Sequence, residues 1–401
     1  MGAVKIKDNI YWVGVFDPEL EIFDIVIPTE HGTTYNSYLV IGEKKKALIE
    51  ANKKNFTEEY IKTIEEVCPV SEIDYIILNH NEPDHSGALP AIVERNPNIE
   101  VIYSKTAKSF VDNIINKEYN GRAVTDGDSI DLGGKTLTFY HTPFLHWPDT
   151  MFTYLIEDHI LFPCDFLGAH YCDYNLFNDK LENKEEAKAA FRFYYSMIMR
   201  PYKEHILKAF KKIEGIQIDM VCPSHGPVLR EDIDYYLNFY KEQADRYYLN
   251  NPYTQITIVY GTAYGNTKML ADKIKEGIEE TSVKVKMFDA ATDNMNDIID
   301  EIEISHGLLI GSPTLNAKAA KPIFTLFANL VVLNVANRKA GAFGSYGWSG
   351  EGIKMTEDVL KTMRMKLPLP AFKVKMTPSE EELEKAKEWG REFALKVLEG
   401  N

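Results

Sequence analysis

The 401-residue chain is 45% hydrophobic and 26% charged, ordinary proportions for a globular protein, and is long enough to bury two separate cores. Its formal charge of −15 argues against an electrostatically driven partnership with nucleic acid or an anionic membrane surface. Four scattered cysteines (Cys68, Cys164, Cys172, Cys222) form no C-x-x-C pair, which speaks against structural zinc, a rubredoxin-type iron centre and a disulfide framework, and fits a reducing cytoplasm.

At the N-terminus, "MGAVKIKDN" has no signal-peptide core, and Ile6 breaks the myristoylation pattern. No later apolar run is long enough to span a membrane. "TTYNSYLVIG" and "KKALIEAN" read as two strands joined at "GEKKK". "TEEYIKTIEEVC" has helical spacing, "IDYIILNH" is a buried strand, and "ALPAIVERNP" is a helix stopped by Asn96-Pro97. "IEVIYS", "TLTFYHT", "MFTYLIEDHILFPCD" and "IDMVCPSHG" follow as strands. Between the last two, "KEEAKAAFRFYYSMIMRPYKEHILKAFKKI" is a long aromatic-rich helical region. Strands ending in polar loops, with helices between, predict a layered αβ/βα domain over residues 1–250.

"NNPYT", residues 250–254, is the expected linker. After it, "QITIVY", "VKVKMF", "GLLIGS" and "AGAFGS" are strands. Helices begin near Asn266, Lys321 and Glu351, and "EEELEKAKEWGREFALKVL" is the last helix. Strict strand–helix alternation predicts an α/β doubly wound parallel sheet over residues 251–401.

The first domain concentrates its chemistry in "NHNEPDHSG", residues 79–87, directly after the strand "IDYIIL". Two imidazoles and two carboxylates in one loop are costly to hold together unless a cation binds them. Pro83 is expected to stiffen the loop and Gly87 to let the chain turn into the next helix. Three single residues occupy equivalent strand-end positions: His146 in "TPFLHWPD", Asp165 in "LFPCDFLG" and His225 in "CPSHGP". Together they make seven candidate metal ligands, His80, Glu82, Asp84, His85, His146, Asp165 and His225. His31, His141, His159, His205 and His306 are expected to be surface or structural residues, and His170 to be a neighbour of the ligands.

In the second domain, "IVYGTAYGNTKMLA", residues 258–271, is a strand, a polar loop and a helix start, an arrangement that presents amides and a helix dipole to an anion. The absence of G-x-x-x-x-G-K-[ST] argues against a nucleotide triphosphatase. "GSPTLNA" (311–317) and "GSYGWSGEG" (344–352) follow strands and open on the same sheet edge. Tyr346 and Trp348 are placed to flank a flat ring.

H-x-E-x-D-H followed by His, Asp and His resembles the β-lactamase-like domain of the flavodiiron (A-type flavoprotein) family. The usual hydrolase version of that fold has H-x-H-x-D-H, and Glu82 stands at its second His. A carboxylate in place of imidazole shifts preference from zinc toward iron and offsets more of its charge. The resemblance implies that His80, Glu82 and His146 hold one iron and Asp84, His85 and His225 the other, with Asp165 bridging and Tyr195 lining the pocket, whereas the segment "FYYSM" by itself reads as core packing for Tyr195. The three loops of the second domain resemble those of flavodoxin. The resemblance implies that Thr262, Ala263, Tyr264, Gly265, Asn266 and Thr267 cradle the FMN phosphate. Ser312, Pro313, Thr314, Leu315 and Asn316, with Ser345, Tyr346, Gly347, Trp348, Ser349 and Gly350, would surround the isoalloxazine ring.

The family resemblance implies two irons and one FMN per chain, reduction of dioxygen to water or of nitric oxide to nitrous oxide, and a head-to-tail homodimer or dimer of dimers. The lack of a further extension after Asn401 resembles the simplest class of the family, fed by an external donor, either rubredoxin or reduced deazaflavin coenzyme F-420. Two other classes stay open at this point: a zinc hydrolase fused to a flavodoxin, and an electron carrier whose first domain is scaffold.

Overall fold

The structure, a computed structural model, describes residues 2–399. It divides into two compact units, Met1–Ala244 and Asp245–Asn401. The division falls before the expected 250/251 boundary because Tyr247 and Tyr248 belong to the second unit. Their rings lie 5.8 and 4.3 Å from the guanidinium of Arg338, whose own N–H groups are fixed by the carbonyls of Ile302, Glu303, Ser305 and Asn334.

In the first unit, a seven-stranded sheet runs Val4–Lys7, Ile10–Trp12, Tyr38–Ile41, Lys46–Ile49, Tyr75–Leu78, Glu100–Ser104 and Gly121–Val124 in spatial order. It is antiparallel up to Lys46–Ile49 and parallel beyond, where helical crossovers begin. A five-stranded sheet, Ser129–Asp131, Thr136–His141, Met151–Leu155, Ile160–Phe162 and Met220–Val221, faces it. Trp12, Tyr38, Ile77, Phe139, Leu155 and Phe162 interdigitate between the two sheets. Helices Thr57–Glu65, Leu89–Arg95 and Lys108–Ile115 supply apolar stripes to the outer face of the first sheet. Lys184–Tyr194, Lys203–Lys212 and Ile233–Asp245 do the same for the second. The expected αβ/βα layering is present.

The long helical region expected across 184–213 is interrupted. Regular helix ends at Tyr194, a π-turn covers Tyr195–Met199, and a 3₁₀ turn covers Arg200–Tyr202. Pro201 has no N–H to continue the ladder, so the helix restarts at Lys203.

The second unit is a five-stranded parallel sheet ordered Lys284–Asp289, Gln255–Tyr260, Gly307–Gly311, Lys339–Tyr346 and Phe372–Lys375. Helices Asn266–Glu279 and Glu380–Leu398 cover one face, and Met295–Glu303, Lys321–Asn329 and Glu351–Thr362 the other. The edge strand Phe372–Lys375 and the helix Met295–Glu303 were not among the expected elements. The strand is "FKVK", half charged and preceded by Pro368 and Pro370, and the helix is short and acidic, capped by the Asn294 side chain. No helix among the described residues is long and apolar enough to cross a membrane.

Helices Asn266–Glu279 and Glu380–Leu398 touch backbone to backbone at Gly277, where an added Cβ would lie 1.9 Å from the Lys387 carbonyl oxygen. Gly277→Ala must push the two helices apart, an expected loss of about 1–3 kcal/mol, read as a lower midpoint in denaturant unfolding with an unchanged slope.

Candidate functional site

The first site starts at the end of the strand Tyr75–Leu78. Asn79 locks the chain there: its N–H donates to Glu50 Oε1 (3.1 Å), its Nδ2 to the Phe162 carbonyl (3.1 Å), and its Oδ1 accepts from Thr153 (2.6 Å). Glu82 caps a single helical turn, Pro83–Ser86, with Pro83 at the position where a missing N–H costs nothing. Ser86 Oγ ties the turn to the carbonyls of Asn81 and Glu82. Gly87 does not serve the backbone freedom expected of it, since its φ is −62°. It is needed for close approach: a Cβ there would lie 2.5 Å from the Pro83 carbonyl oxygen and 2.6 Å from the Lys54 nitrogen.

This turn and three strand ends bring the seven residues together. Asp165 stands in the middle, 2% exposed, and its two oxygens face different groups. Oδ2 lies 3.7 Å from His80 Nε2 and 3.5 Å from His146 Nε2, and Glu82 Oε2 lies 3.2 and 3.0 Å from the same two nitrogens. Oδ1 lies 3.1 Å from His85 Nε2 and 3.5 Å from His225 Nε2, and Asp84 Oδ2 lies 3.2 and 3.1 Å from those. The donor atoms of these residues form two groups of metal-ligand spacing, His80, Glu82, His146 and Asp165 in one and Asp84, His85 and His225 in the other, with Asp165 Oδ1 turned to the second; Glu50, His85 and Cys164 make a further such group. His80, Asp84, His85, Asp165 and His225 are buried, whereas Glu82 and His146 keep 14% and 17% of their side-chain surface, so the site opens on their side.

The charges in this space demand a cation. Both oxygens of Asp84 and of Asp165 are buried without an aligned hydrogen-bond donor among the described residues, although imidazole nitrogens stand close by. Burial raises the Asp84 carboxyl, but His85 and His225 override it and hold it at about 2. Asp165 is likewise held well below the carboxylate range against its burial by His85, His80 and His225. Burial acts against the His80 cation, yet Asp149 and Glu82 keep it protonated well above the usual imidazole range. Without metal the cluster thus holds together by keeping protons. Three carboxylates and four imidazoles suit two divalent ions, and the carboxylate share suits iron over zinc.

Outward nitrogens fix the rings. His80 Nδ1 lies 3.3 Å from Asp149 Oδ1, and Asp149 is held by Asn81 Nδ2 and by Ser104 Oγ on its carbonyl. His225 Nδ1 donates to the Thr34 carbonyl at 2.6 Å. His85 Nδ1 has Cys164 Sγ at 3.9 Å, beside the buried Glu50. Burial pushes the Glu50 carboxyl up to about 8, with His85 and His80 opposing. Glu50 and Asp149 were missed from sequence, although each ends or follows an apolar run, in "KALIE" and "LHWPD". Such outer carboxylates orient metal-binding imidazoles.

His170 is near the cluster but outside it: its Nδ1 pairs with Thr33 Oγ1 at 2.9 Å and its ring is 5.3 Å from that of His225. His31, His159, His205 and His306 contact Tyr171, Asp219, Phe144 and Tyr248, and His141 lies beside Asp126. Tyr195 does not line the site. The π-turn directs it into the core against Tyr240 (4.7 Å) and Phe239 (5.6 Å). Tyr194 instead packs edge-on to His170 (4.9 Å), while Trp147 stands 5.2 Å from His80 and Tyr202 6.2 Å from His146.

The second site lies at the carboxyl edge of the parallel sheet. Gly265, with φ +86°, stands at the N-cap of the helix Asn266–Glu279, and a Cβ there would meet nothing within 4 Å, so the space beside this helix start is open. Gly265 N–H donates to Thr262 Oγ1 at 3.1 Å, curling the loop. Thr267 and Ser345 hydroxyls bond to each other (3.0 Å), and Ser312 Oγ accepts from Ala320 N–H (3.0 Å), so these three side chains hold the loops together. Thr314 Oγ1 accepts from Gly352 N–H (3.2 Å), and Asn316 turns a hairpin with φ +50°. Tyr264 and Trp348 are 91% and 78% exposed, Leu315 is also exposed, and Tyr346 is half-buried against Gly350. Ala263, Pro313, Gly347 and Ser349 complete the three loops. Amides at a helix start and large aromatics left in water fit a phosphate and a planar ring.

Comparison with known proteins agrees with both geometries. Residues 33–226 match the family described as ODP family beta lactamase, and residues 258–390 match flavodoxin. The chain is thus an oxidoreductase built of a metallo-β-lactamase-like domain and a flavodoxin domain. It is 40% identical over 403 residues to the flavo-diiron protein FprA2 of Clostridium acetobutylicum, covering 99% of this chain and 100% of that one. It is 36% identical to the anaerobic nitric oxide reductase flavorubredoxin of Escherichia coli, covering 98% and 82%. The rubredoxin oxygen:oxidoreductase of Desulfovibrio gigas superposes with a TM-score of 0.71 at 29% identity over 99% of each chain. The chain belongs to the flavo-diiron protein family.

Two outcomes test the metal site. Because His80 and His85 in the metal-free protein hold protons well above the usual range, metal must displace them, and apparent affinity rises with pH. Zinc, as a redox-inert probe, is expected to bind with a slope of about two log units per pH unit between roughly pH 6 and 8, measured by calorimetry in buffers of differing ionisation enthalpy. Glu50→Gln can keep an oxygen on the Asn79 amide, whereas Glu50→Ala orphans it. Metal affinity is expected to stay near wild type in the first and to fall about 10–100-fold in the second.

Proposed function

We propose that this protein reduces dioxygen to water at a pair of non-haem irons, with electrons supplied through FMN. His80, Glu82 and His146 would hold one iron, Asp84, His85 and His225 the other, and Asp165 would bridge them. The observation that carries this reading is Asp165, which turns one oxygen to each ligand group. Glu82, in place of the hydrolase imidazole, supports iron over zinc. FMN would be held by the amides of 262–267, with its ring against Tyr264 and Trp348.

When bound, the irons would supply Lewis-acid and redox chemistry, and FMN would supply electron storage between donor and metal. The chain's part is positional. Asp149 and the Thr34 carbonyl keep His80 and His225 turned inward. Trp147 and Tyr194 exclude water from the flanks, leaving the Glu82–His146 side as the entry for a diatomic molecule. A head-to-tail homodimer, or a dimer of such dimers, would bring each flavin to the irons of the other copy. The donor would be an external carrier in the cytoplasm, reduced coenzyme F-420 or rubredoxin. Nitric oxide reduction to nitrous oxide is the second reading, favoured by the 36% identity to a nitric oxide reductase.

Anaerobically purified protein is expected to carry two irons per chain. In stopped flow, its reduced FMN should reoxidise on mixing with either gas, fastest with dioxygen, and His80→Ala should slow this by roughly 100-fold or more while retaining FMN. Zinc with hydrolase turnover, or equal reoxidation in both proteins, would refute the reading. A monomeric variant should keep both cofactors and lose turnover.

A further inference from the structure

Two strands of the first unit end in left-handed backbone. Lys46–Ile49 runs into Glu50, with φ of 63°, and Ile160–Phe162 runs through Pro163 into Cys164, with φ of 53°. Neither residue type takes this conformation readily, and it persists where the surroundings over-determine the backbone. Here they do. The Glu50 carbonyl accepts from Ser37 Oγ (2.7 Å) and the Tyr60 hydroxyl (2.8 Å), and its N–H donates to the Ile77 carbonyl. The Cys164 carbonyl accepts from the Ser224 N–H at 2.9 Å.

The two twisted residues meet at one imidazole. His85 Nε2 lies 3.2 Å from Asp84 Oδ2 and 3.1 Å from Asp165 Oδ1, within the ligand cluster. Its Nδ1 lies 3.9 Å from Cys164 Sγ, and with a carboxylate oxygen of Glu50 the three residues bring donor atoms within 4.8 Å of one another. Glu50 and Cys164 are each 1% exposed and His85 3%. Glu50 Oε1 accepts from the Asn79 N–H, whereas Oε2 is buried with no hydrogen-bond partner among the described residues. An unmatched buried carboxylate oxygen is unfavourable, and a cation beside it removes the penalty. Ser224 Oγ donates to Cys164 Sγ at 3.3 Å, which favours the thiolate form.

The donor set selects the ion. One sulfur, one nitrogen and one oxygen suit a closed-shell, borderline-soft ion such as zinc, whereas the oxygen-rich cluster next to it suits iron. Tetrahedral zinc, with bonds of about 2.3 Å to sulfur and about 2.0 Å to nitrogen, sets those two atoms about 3.5 Å apart. The observed 3.9 Å is close to that span. We propose that Glu50, Cys164 and the outer nitrogen of His85 form a third metal site, for a soft divalent ion of the zinc class, joined to the second iron position through the His85 ring. Binding sends the protons of the thiol, the carboxyl and Nδ1 to water and changes no oxidation state. The link to iron rests on the preceding functional reading; the outer site itself does not.

Cadmium alone, added to the full-length metal-free protein and held warm so that local openings admit it, tests the site. Sulfur-to-cadmium charge-transfer absorption should plateau at the amplitude of one thiolate per chain. Cadmium-113 spectra should show one resonance of single-sulfur type, split by nitrogen-15 in histidine-labelled protein. Cys164→Ser should lose both signals, and Cys222→Ser, which alters a buried thiol outside the group, should keep them. Glu50→Gln leaves an acceptor for Asn79 and should weaken the thiolate-bound cadmium about 10-fold or more while retaining FMN. Where Cys164→Ser fails to fold, Glu50→Gln and the nitrogen splitting in wild type decide. In iron-57 holoenzyme, cadmium should shift the Mössbauer doublet of one iron and leave the other. No thiolate signal in wild type, an undiminished signal in Cys164→Ser, or wild-type affinity in Glu50→Gln overturns the site. Cadmium bound with both iron doublets unmoved overturns the shared ring. A chain that shows the thiolate signal but carries no iron pair overturns the functional reading and leaves the outer site standing.

Discussion

The packing of three carboxylates and four imidazoles around one buried oxygen pair governs the first unit. Charges removed from water at this density are tolerated only when each is matched, and the match here is made at Asp165. Its two oxygens must be held at a fixed height between two sets of nitrogens, so the strand Ile160–Phe162, the turn Pro83–Ser86 and the loop before His225 must keep their register. The double sheet core of Trp12, Phe139 and Phe162 provides that rigidity. Asn79, bonded on three sides, carries it into the loop.

Both units place chemistry where strands deliver their carboxyl ends. In the first, strand ends supply ligands; in the second, they supply loops whose hydroxyls are consumed in holding one another. The difference follows from what is bound. A metal is gripped by side chains with fixed rings, whereas a phosphate is gripped by backbone amides, so side chains there are free to serve as struts.

The fold class and all seven clustered residues were legible in the sequence because each signal is local: an apolar run, then a polar residue of coordinating type. Glu50 and Asp149 were not. Glu50 and Asp149 matter through atoms far away in sequence, His85 and His80, and alone they look like ordinary strand-end acids. Tyr195 shows the converse. In a regular helix its direction would follow from spacing, but the π-turn rotates it toward Tyr240 and leaves Tyr194 near the histidines. The edge strand "FKVK" was hidden because only one of its faces is apolar.

Tyr264 and Trp348 are large rings left in water on the rim of the second unit. A freshly made chain that has not yet acquired its coenzyme carries this pair as an adhesive spot, able to stick to other unfinished polypeptides. A flat ligand laid over these rings would cover that surface, so occupation of the rim would keep copies apart as well as supply chemistry.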